Sequence, residues 1–237
     1  MLYLKKFPTH SEYESYIGGS DALRPNVSLC DDQPEHVHYN PSIKPAYMEF
    51  VDLGLPSGTL WAKGNLGSML ETDMGYALQW GSSVPAGEDD VWETCPFNNG
   101  SSTYDGAYFD AHMNEWIDSD GNLKLAYDPV NKVVGQGAHI PSRNQMSELW
   151  GLNYEFIEIG GNEYLKVTSL SDDSKYILLP QLDKGWGPSP YYWFRTLDDI
   201  DHQNAYNMFW EYGEWWYDTV GRYKSYLVRP VIGNGPS

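Results

Sequence analysis

Short runs in which apolar and polar residues alternate recur along the chain, and this period of two predicts β-strands. Residues 49–54 and 59–62 form two such runs on either side of a Leu-Pro-Ser-Gly turn, and they predict a hairpin. Three later runs predict an antiparallel meander with a Gly-Gly turn at 160–161, namely 156–159, 164–167 and 176–179. The chain is therefore expected to consist mainly of short antiparallel strands.

Helical signals are sparse by comparison. Residues 142–145 form a capping box that opens a helix, which ends at Gly151, and residues 9–12 form another near the amino terminus. Residues 81–139 are rich in Gly, Asn, Asp and Ser, which predicts a large, locally ordered loop region. The expected fold class is α+β, with short antiparallel strands, one or two helices and long loops.

The composition of the chain changes near residue 45. The first 45 residues contain no Trp, whereas all ten Trp residues lie in the remainder, and the proline-containing stretch 40–45 separates the two parts. One short helix and two short strands cannot enclose a hydrophobic core. We therefore expect residues 1–45 to form an attachment arm that packs on another subunit, and residues 46–233 to form the main domain.

The chain is strongly acidic. Its 33 Asp and Glu residues exceed its 15 Lys and Arg residues, which gives a formal net charge of −18. This charge repels phosphate backbones and anionic lipid head groups, so nucleic acid is not expected as a partner and neither is membrane insertion.

The amino terminus and the cysteines bear on where the protein acts. The first eight residues place two lysines after a short apolar start, and no apolar run follows them, which is not the pattern of a signal peptide, so synthesis in a cytoplasm is expected. The two cysteines, Cys30 and Cys95, are too few for a disulfide scaffold, and free thiols are the favoured interpretation.

Five strings in the main domain occur in a fixed order. They are EFVDLGLPSGTLWAK at 49–63, GYALQWG at 75–81, HIPSR at 139–143, YW at 192–193 and SYLVRPV at 225–231. Together they resemble the Fibrobacter/Bacteroides major paralogous domain family, whose relatives adopt a C-type-lectin-like fold. The resemblance covers residues 46–232 and implies a C-type-lectin-like ligand-display domain.

The amino-terminal segment carries a second, shorter resemblance. Residues 7–16, 23–28 and 37–41 are similar to the amino-terminal arm of virion proteins in crAss-like and other gut bacteriophages. The pair of resemblances implies a virion structural protein, of the head-fibre or tail-associated class, that lies on the virion surface and is released by lysis. Its arm would bind other virion proteins, and a homotrimer is the expected assembly.

The resemblance also divides the carboxy-terminal part into framework and ligand face. Tyr192, Trp193, Val228, Arg229 and Pro230 are implied to be framework, and the side chains between them are the recognition candidates. Between residues 186 and 226, 14 of 41 residues are aromatic, more than packing alone requires. Seven side chains are predicted to contact a host-surface glycan or protein: Arg195, His202, Asn207, Trp210, Tyr212, Trp215 and Tyr217.

Two other interpretations of the same residues remain. In the first, the protein is a capsid decoration or fibre-attachment subunit whose rings are buried between subunits and bind no host ligand. In the second, it is a bacterial lectin-like surface adhesin, against which the amino terminus argues.

No metal or cofactor is expected. Asp118-Ser-Asp-Gly-Asn122 copies the opening of a calcium loop, but the twelfth position, where an EF-hand needs an acid, is Pro129, which favours a tight turn. The acidic group of Asp198, Asp199 and Asp201 and the His36-Val-His38 pair are more typical of solvated surface than of metal ligands.

Catalysis is not expected either. The catalytic branch of lectin-like folds depends on cysteine chemistry, and no Cys follows Cys95. A glycosidase needs two carboxylates across a cleft. Four acids cluster at Glu88, Asp89, Asp90 and Glu93, but a solvated acidic loop explains them equally well. The sequence therefore predicts a non-enzymatic binding protein.

Overall fold

The computed structural model describes residues 48–68, 70–85, 90–183, 188–211 and 213–233, together with the backbone of 5–7 and 36–38. It is a mixed, strand-rich structure of the α+β class. In chain order its elements are β1 (Lys5–Phe7), β2 (His36–His38), β3 (Phe50–Asp52), β4 (Leu60–Ala62), β5 (Ala77–Gln79), α1 (Gly106–Trp116), α2 (Pro129–Val134), α3 (Arg143–Glu148), β6 (Asn153–Ile159), β7 (Asn162–Thr168), β8 (Tyr176–Pro180), β9 (Leu182–Asp183), β10 (Pro188–Ser189), β11 (Tyr192–Leu197), β12 (Asn204–Glu211), β13 (Glu214–Gly221), β14 (Ser225–Leu227) and β15 (Val231–Ile232).

Five strands form the largest sheet, in the order β13-β12-β11-β14-β5. Its pairs are antiparallel except β11 with β14, which run parallel. Two three-stranded sheets, β15-β4-β3 and β6-β7-β8, lie beside it, and β1 pairs with β2. Because β15 pairs with β4, the last described strands return to the first strands of the domain.

The predicted hairpin and meander are both confirmed. Phe50 pairs with Ala62 in the hairpin, and β6, β7 and β8 pair antiparallel in sequence order. The turn between β6 and β7 has positive φ at both Gly160 (61°) and Gly161 (82°), which a two-residue hairpin loop of this kind requires. Local alternation and turn chemistry were sufficient to place these elements.

The helices were only partly predicted. The capping box at Ser142 and Gln145 is present and opens α3. Residues 81–139, predicted as a large, locally ordered loop region, also contain α1 and α2. Each begins at an aspartate cap, Asp105 for α1 and Asp128 for α2. None of the described helices is both long and apolar enough to span a membrane. The predicted amino-terminal helix lies outside the described residues.

The five-stranded sheet carries a hydrophobic core on each face. One core includes Trp80, Phe109 and Trp193, and brings α1 and α2 against the sheet. The other includes Trp61, Leu165 and Tyr192, and brings in the meander and the β15-β4-β3 sheet. Trp residues also supply hydrogen bonds here, since Trp193 Nε1 donates to the carbonyl of Leu78 at 2.7 Å and Trp80 Nε1 to that of Phe194 at 2.9 Å. The two indoles therefore cross-link β5 and β11 within the core.

A fully buried arginine joins the sheets. The Arg229 guanidinium donates hydrogen bonds to the carbonyls of Ala62, Lys63 and Leu178. It therefore connects the end of β4 to β8, two segments that no strand pairing joins directly. Backbone carbonyls buried at this junction would have no donor without it.

Substituting this arginine should destabilise the whole domain. Arg229→Met keeps the apolar stem but leaves the three buried carbonyls without donors, so we expect the free energy of unfolding to fall by at least about 3 kcal/mol. For a domain of this size the melting temperature would fall by about 6–12 °C. Lys132→Met, which removes a charge from α2, is the matched control. A loss below about 1 kcal/mol for Arg229→Met, measured by urea unfolding, would contradict this role.

Asp128 is a buried carboxyl that caps α2. Its Oδ1 accepts from the Val130 N–H at 2.8 Å and its Oδ2 from the Ile140 N–H at 3.0 Å. Loss of solvation on burial raises the pKa of Asp128 to about 7, although these hydrogen bonds and Arg195 act in the opposite direction. Between the ordinary aspartate pKa and pH 7, the folded protein therefore holds a proton that the unfolded chain releases.

Stability should consequently fall as the pH rises through this window. The free energy of unfolding relative to Asp128→Asn, which caps the helix without titrating, should decrease by roughly 2 kcal/mol between pH 5 and pH 8. Chemical unfolding of both proteins at a series of pH values measures this difference and cancels the contribution of the other carboxylates. A difference that does not change with pH would mean that Asp128 titrates as an ordinary aspartate.

Candidate functional site

A large open cleft, with a volume of about 1340 Å³, lies beside the five-stranded sheet. Its walls come from the turn after α1, the segment that leads into α3, the end of β11 and the loop before β12. These segments are far apart in sequence. The cleft is therefore a product of the tertiary fold.

An ion pair and a hydrogen-bond chain fix one wall of the cleft. Arg195 Nη2 lies 3.2 Å from Asp118 Oδ2. Thr196 Oγ1 donates to Asn122 Oδ1 at 2.8 Å and accepts from the Arg143 N–H at 3.0 Å. The turn after α1 is thereby tied to β11 and to the first residue of α3.

In the calcium-like loop at residues 118–122, both carboxylate oxygens of Asp118 already have partners. Asp118 Oδ1 accepts from the N–H groups of Asp120 and Asn122, at 3.0 and 2.9 Å, and its Oδ2 pairs with Arg195. The acidic group after β11 behaves similarly, since Asp198 Oδ1 accepts from the Ile200 N–H at 2.9 Å. Within the described part of the chain, no cluster of three or more His, Cys, Asp or Glu side chains is placed to hold a metal ion.

Arg143, which lines the cleft, contacts the rings of two tyrosines. Its guanidinium carbon lies 4.6 Å from the ring centre of Tyr206 and 4.5 Å from that of Tyr217. Its Nη2 donates to Tyr217 Oη at 2.8 Å, and Tyr217 in turn stacks on Trp150 with ring centres 5.5 Å apart. Burial raises the pKa of Tyr206, which the Arg143 charge partly offsets and the carboxylates of Asp199 and Asp198 reinforce. The guanidinium therefore lies against two adjacent rings, whose centres are 6.2 Å apart, in the cleft.

Three of the seven predicted ligand-face residues lie at or beside the cleft. Arg195 and His202 line it, and His202 Nδ1 lies 2.9 Å from Asp110 Oδ1. Tyr217 contacts it through Arg143. Tyr212 lies outside the described residues.

The other three predicted residues lie in the sheet, away from the cleft. Asn207 is buried and its Nδ2 donates to the Asp218 carbonyl at 3.1 Å. Trp210 and Trp215 meet nearly perpendicular, with ring centres 5.0 Å apart, and both contact Tyr154 of β6. Both indoles pack on the core side of the sheet that faces the meander.

The expected alternation along β13 is present. Trp215 is partly buried, whereas Trp216 points to the opposite face and is 46% exposed. Exposure therefore differs between the two adjacent indoles because they project to opposite faces of the strand and only Trp215 packs against a core.

Sequence reasoning missed Arg143 and Tyr206 as cleft residues. Arg143 was recognised only as part of the string that precedes α3, and Tyr206 only as one of many aromatic residues. The available signal was an arginine without a nearby acidic residue in a strongly acidic chain.

A comparison of the chain with models of protein families, with curated proteins and with solved structures found no match in any of the three. The chemistry of the cleft is therefore inferred from its own residues.

Cys95 is buried, and burial disfavours its thiolate form. Loss of solvation raises its pKa to about 12, although the nearby Arg222 charge acts in the opposite direction. The thiol is protonated at neutral pH, and a thiolate is the nucleophilic form.

In the predicted acidic cluster, Asp90 Oδ2 lies 3.8 Å from Lys224 Nζ, while Glu88 and Asp89 lie outside the described residues.

The two sides of the β12–β13 pair should respond differently to truncation. Trp210→Ala removes an indole that packs against Tyr154, Phe156 and Trp215, so we expect it to lower the free energy of unfolding by about 2–4 kcal/mol. Trp216→Ala removes an exposed indole and should cost less than about 1 kcal/mol. Thermal unfolding of the two variants provides the comparison, and equal losses would contradict the assigned orientation of the strands.

Proposed function

We propose that the chain is a structural protein of a bacteriophage virion, of the head-fibre or tail-associated class. In this proposal residues 46–233 form a C-type-lectin-like domain that binds a host-surface glycan or protein non-covalently. Residues 1–45 anchor the protein to other virion proteins, and the assembly is a homotrimer on the virion surface.

The observation that carries this proposal is how the five family-like strings pack together. The first string forms β3 and β4, and the last forms β14 and leads into β15, which pairs with β4. The second string supplies Trp80 and β5, which pairs with β14. His139 of the third string exchanges both backbone hydrogen bonds with Val231, each 2.9 Å long. Trp193 of the fourth donates to Leu78.

All five strings therefore contribute to one framework. The walls of the cleft come mainly from segments between these strings, at residues 113–125 and 195–206. A constant framework with a ligand face built from the intervening segments is the arrangement that the family resemblance implies. This agreement supports the lectin-like interpretation.

The chemistry of the cleft supports non-covalent recognition. Its lining combines carboxylates, guanidinium groups, amides and hydroxyls, which offer both donors and acceptors to a polar ligand. Its volume is large enough for several sugar rings or a peptide segment.

The first test is quantitative mass spectrometry of purified phage particles from the source of the gene. We expect the chain in the particles at a copy number that is a multiple of three and fits a symmetric position on the virion. Absence from particles and presence in host cell fractions would overturn the virion assignment and favour a cellular adhesin.

The second test is binding of the labelled full-length chain to host cells. Arg195→Gln changes the cleft wall and should reduce cell binding at least fivefold, whereas Lys132→Gln removes the same charge outside the cleft and should not. Melting temperatures of both variants control for unfolding. A chain that is present in particles but binds no host cells would be a decoration or fibre-attachment subunit.

A further inference from the structure

The guanidinium of Arg143 is supported by two tyrosine rings and has a free edge. Its central carbon lies 4.6 Å from the ring centre of Tyr206 and 4.5 Å from that of Tyr217, and its Nη2 donates to Tyr217 Oη. No carboxylate within the described part of the chain lies within salt-bridge distance of it. Within the described part of the chain its Nε and Nη1 groups have no hydrogen-bond partner, and the residue lines the cleft.

The other arginines of the described part are all engaged. Arg195 pairs with Asp118, and Arg222 donates to the carbonyls of His202 and Pro96, at 2.9 and 3.1 Å. Arg229 is buried among three carbonyls. Arg143 is therefore the described arginine that remains available to a ligand.

A planar guanidinium with a free edge matches one kind of ligand group best. Its parallel N–H bonds fit the two oxygens of a carboxylate, and such charge-assisted bonds are about twice as strong as neutral ones. The support matters because an arginine already fixed by stacking loses little side-chain entropy when it binds.

The rest of the cleft excludes a ligand of high negative charge. Asp198 and Asp199 line the same cleft, and their charges act on Tyr206, which contacts Arg143. A phosphate dianion or a polyanion would be repelled by these carboxylates. A single carboxylate on a molecule rich in hydroxyl groups is repelled less, because its hydroxyls donate to Asp198 and Asp199 and accept from the amides.

We propose that the cleft binds an acidic sugar, of the uronic or sialic acid type, and that Arg143 binds its carboxylate directly, without calcium. The proposal rests on the proposed function only for the host-surface origin of the sugar. It narrows the ligand to a carboxylate-bearing saccharide and assigns the specificity to one residue.

The experiment compares matched sugars on the full-length chain by isothermal titration calorimetry, in 0.15 M NaCl with a calcium chelator. Methyl glucuronide and methyl glucoside differ only in the carboxylate, and methyl N-acetylneuraminide provides a second acid. We expect at least one of the acids to bind tenfold or more tightly than the glucoside, and 1 M NaCl to weaken this preference. Inorganic phosphate, as a separate arm, should bind more weakly than that acid.

Three variants test the role of Arg143. Arg143→Gln should weaken binding of the acid tenfold to a hundredfold and leave the glucoside unchanged. Arg143→Lys keeps the charge but not the planar fork, so it should lose most of the preference, which also covers the case in which Arg143→Gln fails to fold. Lys132→Gln, the charge-matched control outside the cleft, should change neither affinity by more than about twofold.

Several results would overturn the inference. These are equal affinity for the acids and the glucoside, tighter binding of phosphate, no binding of any sugar, loss of binding on addition of the chelator, or unchanged selectivity in both Arg143 variants. The outcome is separate from that of the proposed function. Acid-selective binding by a chain that is absent from particles would retain this inference and reject the virion assignment. A chain that is present in particles but shows no preference for the acids would reject this inference and retain the virion assignment.

Discussion

The fold depends on a buried cation, Arg229, that has no acidic partner among the described residues. The charge of Arg229 is balanced by the carbonyl groups of Ala62, Lys63 and Leu178, and the ring of Tyr192 lies 6.0 Å from its guanidinium carbon. A desolvated guanidinium costs several kcal/mol unless its acceptors are in place. The acceptors belong to segments that the chain brings together only in the folded state. This arrangement therefore favours formation of the terminal sheet and the meander together.

Arg222 is a second buried arginine, and aromatic rings surround it. This second buried arginine is surrounded by the rings of Trp80, Trp92, Tyr104 and Phe109, with the Phe109 ring centre 4.2 Å from its guanidinium carbon. Aromatic faces carry partial negative charge, so they favour a cation that carbonyls alone only partly satisfy. A core built from aliphatic side chains could not hold these two arginines.

The elements that could be predicted from the sequence are those fixed by local interactions. The hairpin, the meander and the cap of α3 depend on alternation, glycine turns and side chains within three residues of one another. Helix α1 was missed because only two of its eleven residues are buried, so its periodicity is weak, and α2 was missed because six residues are too few to show a helical period. The predicted ligand face was assigned by residue type, and type does not reveal which side of β12 and β13 meets the meander. Trp210 and Trp215 lie on the side that meets the meander, so they pack inward.

The cleft could not be predicted because its connections span long stretches of chain. Arg195 and Asp118 are separated by 77 positions, and Arg143 and Tyr217 by 74. These contacts are made by side chains, whereas the framework is held by strand pairing and by buried indole and guanidinium groups. Side chains that line the cleft without bonding to the framework, such as Asp199, can therefore be exchanged at little cost to it, whereas Gln145 bonds to Thr59 and to Gly233. This separation would allow the ligand specificity of such a domain to change while its fold remains constant.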